Sequence, residues 1–164
     1  MEQRYIYSFS QIEDKVKALH ETNTEAAAAV ALSWLGLSRD ELKTLRISDY
    51  NSAMRMLHTA GRVVYVREDT IADMLKGICE KAPEYSMGFF ITDVNSAYEA
   101  AEKQGLSPIS VLKMRYFYEK HSAKLSGEPE DRVFLKEILR SVGESEADME
   151  KQFAEYENGA PEKI

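Results

Sequence analysis

Residues 34–51 read WLGLSRDELKTLRISDYN. The preceding residues, 26–35, are apolar almost without a break, so they predict a helix buried on most of its surface. Gly36 ends that helix, as glycine does at helix C-termini. Ser38 followed by Glu41 is a capping-box pattern and starts a short second helix. Leu42 and Leu45 share a face of that helix. Arg46 to Tyr50 lead out in an extended segment. A buried helix, a tight glycine corner, a short capped helix and an extended exit therefore form the nucleus of the chain.

Working outward, 164 residues suffice for one domain with a proper core. The 44% hydrophobic and 30% charged content is that of a soluble globular chain. No run is long and apolar enough to span a membrane, and no basic signal-like region precedes residues 26–35. Cys79 is the one cysteine, which excludes a disulfide framework. A cytoplasmic location is expected. His20, His58 and His121 are scattered, and no metal-ligand spacing occurs; no metal or cofactor is expected. The net charge of −7 argues against a large phosphate-binding face. It is unevenly spread. Residues 127–164 hold 11 acidic and 5 basic side chains, net −6, and residues 1–126 hold 17 and 16, net −1.

In chain order, residues 1–8 read as an extended lead-in. Ser10 caps a helix bearing Ile12, Val16 and Leu19 on one face, and the Thr22-Asn23-Thr24 break caps the apolar helix. Past the nucleus, residues 53–59 and 62–66 predict two strands around Ala60-Gly61. A helix follows from Asp69 or Thr70, with Ile71, Met74, Leu75 and Ile78 inward and Pro83 at its end. Residues 84–91 form a loop or short extended piece. Residues 93–103 are helical. Ser107-Pro108 starts a long helix to about Leu125, broken by Gly127 and Pro129. Residues 131–142 and 145–156 are two more helices, and residues 157–164 fray. The fold class is mainly α with a small antiparallel β-sheet, in one domain.

This order resembles the catalytic domain of tyrosine recombinases, the phage-integrase family. There an apolar helix runs into T-G-L-R, then x-x-E-L, x-x-L-R and x-x-D. Here Leu35-Gly36-Leu37-Ser38, Glu41-Leu42, Leu45-Arg46 and Asp49 follow in the same register. Ser38 stands where the family keeps its first catalytic arginine. Arg39 is one step along, and one helical step turns a side chain by about 100°. Val111 to Tyr116 resembles the H-x-L-R-H helix, with Leu112 at its first histidine and Arg115 at the second arginine. Residues 138–144 resemble the L-G-H segment, with Glu144 at its histidine. Phe153 falls at the nucleophilic tyrosine. No lysine occupies the hairpin turn, and Arg62 is the nearest cation.

The family's chemistry implies arginines that hold the scissile phosphate, proton carriers and a tyrosine nucleophile. Of these, Arg115 alone is retained, so the resemblance implies a domain without strand cleavage. Arg115, Arg39 and Arg62 are the candidate phosphate-binding residues. Arg115 can equally be a structural arginine bonded to a helix end. Tyr156, three residues past Phe153, is either a displaced nucleophile or a packing residue. Two functions follow. One is an inactive recombinase-like component of DNA integration or recombination, binding DNA weakly or assisting assembly. The other is a protein-interaction or regulatory module of mobile-element origin that does not touch DNA. The C-terminal segment from Ser145 onward, whose helix carries Met149, Phe153 and Tyr156, is expected to dock either on its own domain or on a second copy, the latter giving self-association. An unrelated enzyme reusing the cleft finds no supporting motif.

Overall fold

The computed structural model describes residues 9–59, 61–81, 88–129 and 131–158, the side chains of 156–158 excepted. These residues form eight α-helices and one three-stranded sheet. The helices are α1 (Glu13–Thr22), α2 (Thr24–Trp34), α3 (Arg39–Thr44), α4 (Asp69–Lys81), α5 (Val94–Lys103), α6 (Pro108–Ser126), α7 (Arg132–Val142) and α8 (Glu146–Asn158). The strands are β1 (Tyr50–Asn51), β2 (Met56–Thr59) and β3 (Arg62–Tyr65). They pair antiparallel in the order β1-β2-β3, with Leu57 opposite both Tyr50 and Val64.

Helix α2 is the axis of the main core. Every residue from Ala26 to Trp34 is buried, because α1, α5 and α6 pack around it. Its alanines let those neighbours approach closely. Asn23 caps it by accepting the Ala26 amide at 3.0 Å. Gly36 ends it at φ +95°, a left-handed angle that glycine adopts without strain. A Cβ there would lie 2.7 Å from Cε1 of Phe134, so the corner also seats α7. The capping box of α3 is present in full: Glu41 N donates to Ser38 Oγ at 3.1 Å and Ser38 N to Glu41 Oε1 at 3.0 Å.

A second core lies between α6, α7 and α8. Leu112, Tyr116 and Phe117 meet Leu135, Ile138, Met149 and Phe153 there. The apolar face of α8 is thus buried within its own chain. Asp93, Ser107 and Asp131 cap α5, α6 and α7, and Gly127 and Gly143 end α6 and α7.

Three boundaries differ from the sequence expectation. Ser10 does not cap α1. Residues Phe9–Gln11 form a 3₁₀ turn that buries Phe9 beside Trp34, and α1 starts after Ile12 with no side-chain cap. The second strand starts at Met56, not residue 53. Asn51 Oδ1 accepts the Met54 amide at 3.1 Å, and the resulting turn runs through Arg55 at φ 55°. Arg55 then pairs with Asp69 at 2.8 Å. Arg46 to Tyr50 are not one extended exit: Ile47–Asp49 form a 3₁₀ turn, closed by the Arg46 amide donating to Asp49 Oδ2 at 2.8 Å, and Tyr50–Asn51 alone pair as strand β1. Pro83, the lead-in at 1–8 and the tail beyond residue 158 lie outside the described residues. No described helix is long and apolar enough to cross a membrane.

Candidate functional site

The corner between α2 and α3 gathers the candidate residues. Helix α2 ends with carbonyl groups that lack an intrahelical partner, and cations are favoured at such an end. Arg115 Nη1, from α6, donates to the Trp34 carbonyl at 2.9 Å. Arg62 Nη2, from β3, donates to the Gly36 carbonyl at 3.2 Å. Two arginines from distant parts of the chain thus converge on one helix terminus.

Both are already engaged by carboxylates. Arg62 Nη2 reaches Glu41 Oε1 at 2.8 Å and Oε2 at 3.0 Å, and its Nε reaches Oε2 at 3.3 Å. Glu41 also accepts from Ser38 N and Thr59 Oγ1. Arg115 Nε and Nη2 both reach Glu119 Oε1 at 2.8 Å. The Arg115 guanidinium lies 5.0–5.7 Å from the Phe134, Trp34 and Tyr118 rings, within cation–π range. Its side chain is 16% exposed. Of the two readings of Arg115, this geometry is that of an arginine tying α6 to the end of α2.

Ser38 is the α3 cap, and Arg39 stacks over Tyr98 at 4.6 Å. A cleft of about 640 Å³ separates α3 from α7, lined among others by Ser38, Arg39, Arg62 and Arg140. A smaller one of about 180 Å³ runs beside β3, with Arg62, Arg67, Arg115 and Phe134 in its wall. Arg62 therefore joins Ser38 on one side to Arg115 on the other. Leu112 and Phe153 are not in these walls. Leu112 is fully buried, and Phe153 stacks on Phe117 with centroids 6.0 Å apart. Tyr156 lies in the last turn of α8, and its side chain is outside the described residues. Among the described residues, no α8 side chain lines either cleft, whereas α7 contributes to both and Asp131 before it to the smaller one.

Glu144 forms an ion pair with Lys113 of α6 and accepts from Gln152 Nε2 at 2.9 Å. The Lys113 ammonium, and next Gln152, hold its carboxyl below the ordinary value of 4.5. A carboxyl lowered in the folded state contributes stability that is complete above its unfolded pKa. That contribution is lost as pH falls through the folded one. Lys113→Gln is therefore expected to flatten the acid limb of stability below about pH 5, read by urea unfolding at stepped pH. Equal acid slopes in both proteins would remove Lys113 as the cause.

Sequence reading missed the partners rather than the arginines. Glu119 stands four residues after Arg115, a helical pairing distance that was legible. Glu41 was visible only as half of a capping box. Lys120, buried and paired with Glu150, had no sequence signal.

No family model matches this chain, and no curated protein does. Among solved structures, the crystal structure of XerA recombinase aligns with a TM-score of 0.54 at 13% identity, over 98% of this chain and 66% of that one. This chain thus spans just under two thirds of that chain's length. At such identity the likeness is one of fold: a mainly helical domain with a small antiparallel sheet, similar to a tyrosine recombinase.

Proposed function

We propose that this chain is a recombinase-fold protein without strand-cleavage chemistry. It serves DNA integration or recombination as a weak DNA-binding or assembly component. The observation that carries the reading is the pairing of Arg62 with Glu41 and of Arg115 with Glu119. A scissile phosphate needs positive charge aimed at it and not yet spent. Here both guanidinium groups are held by internal carboxylates and helix-end carbonyls. Phe153 adds to this, since a phenyl ring has no hydroxyl with which to attack phosphorus. Ser38 and Leu112 likewise put no cation and no proton carrier at their family positions.

The test is incubation with nicked or otherwise trapping duplex substrates, followed by denaturing gels. No protein–DNA band is expected. A covalent band that disappears in Tyr156→Phe would place the nucleophile at Tyr156 and end this reading. The interaction-module alternative draws on the net charge of −6 over residues 127–164. Self-association through α8 would first require its release, because Met149 and Phe153 are buried in its own chain.

A further inference from the structure

Helix α7 carries Arg132, Lys136 and Arg140, all exposed. A four-residue step rises about 6 Å along a helix and turns about 40°, so the three cations form one row. Arg140 lines the 640 Å³ cleft, and Arg39 of α3 lines the same cleft. Lys43, also exposed, follows Arg39 by one turn of α3. Among the described residues, none of Lys43, Arg132, Lys136 and Arg140 has an ion-pair partner. Arg39 has only the Tyr98 ring. The same wall holds two unpaired carboxylates, Asp40 and Glu137, while Glu41 is matched by Arg62. Arg39 and Arg140 thus line one cleft, and Lys43, Arg132 and Lys136 stand exposed on the same two helices outside its lining, in a chain whose net charge is −7.

We propose that this α3–α7 rim, and not the Arg62–Arg115 corner, takes the phosphate backbone of duplex nucleic acid. The inference rests on the DNA-binding reading above and relocates its contact surface. A duplex presents about one negative charge per 1.7 Å of axis, so a linear row of cations meets several phosphates at once. Arginine forks also fit phosphate oxygens in pairs. An acidic protein would need an apolar anchor as well, and of the large apolar side chains the cleft offers only Val133.

The experiment is a fluorescence-anisotropy titration of a mixed-sequence duplex at several salt concentrations. Wild type is compared with the triple variant Arg132→Gln, Lys136→Gln, Arg140→Gln. The three positions are exposed, so an unchanged melting temperature should show that the variant is folded. The expected result is affinity at least tenfold lower at low salt, with a salt slope shallower by about 2–3. An unchanged affinity and slope would overturn the inference. So would absence of duplex binding by wild type at low salt, or tighter binding of polyglutamate than of duplex at equal charge, which would assign the rim to an acidic protein. None of these outcomes bears on the denaturing-gel test, which judges the non-catalytic reading by itself.

Discussion

Arg62→Ala is expected to destabilise the fold by about 2–3 kcal/mol, because it strands a carboxylate that is already desolvated. The Glu41 side chain is 10% exposed, and Arg62 provides its charge partner. The Gly36 carbonyl loses its donor in the same step. The pair is 22% exposed on the Arg62 side, so the effect is set below that of a fully buried ion pair. Urea unfolding measures it. Adding Glu41→Gln should restore about half of the loss or more, since glutamine keeps the capping box and removes the stranded charge. A phosphate-binding arginine behaves otherwise. Its removal relieves repulsion with its neighbours and leaves stability the same or higher. An Arg62→Ala protein as stable as wild type would therefore refute the structural role assigned to this residue.

Phe153→Ala is expected to cost about 3 kcal/mol or more, the range for deleting a buried phenyl ring. For a chain of this size that lowers the melting temperature by about 6–12 °C. Phe153 holds α8 to α6 through Phe117, with Met149 beside it. Without the ring, α8 keeps the Lys120–Glu150 ion pair but only one of its two large apolar anchors. An isolated helix of that length is marginal in water, so its amides should exchange faster than those of α2. Phe153→Tyr tests the chemical side of the same position. It supplies the missing hydroxyl, yet no covalent adduct with DNA is expected, because the ring lies in the second core and Arg115 is held by Glu119. A loss under 1 kcal/mol in Phe153→Ala would mean that α8 does not depend on this contact.

The sequence was most informative where local chemistry is self-sufficient. The Gly36 corner, the Ser38–Glu41 box, the cap in the Thr22-Asn23-Thr24 break and the Ser107 cap all follow from neighbouring residues, and each is found in place. The order of helices and sheet was legible for the same reason. Boundaries set by tertiary contact were not. Phe9 turns under Trp34 and delays α1, and Arg55 takes a left-handed angle that a sequence pattern reserves for glycine. At the candidate site the cations were readable and their state was not. Whether Arg115 and Arg62 are available depends on Glu119, on Glu41 from 21 positions away, and on two carbonyls at the end of α2. Net charge by segment likewise hid the exposed row on α7, since its cations are offset in sequence by the acids of α8.

Arg62 and Arg115 are held by Glu41, Glu119 and the carbonyls at the end of α2 rather than open to phosphate. NMR of the arginine Nε–Hε groups during titration with a mixed-sequence duplex at low salt tests it most directly. The Arg39, Arg132 and Arg140 resonances are expected to move while those of Arg62 and Arg115 stay where they are. Saturable shifts at Arg62 and Arg115, with Arg132 and Arg140 unmoved, would contradict it.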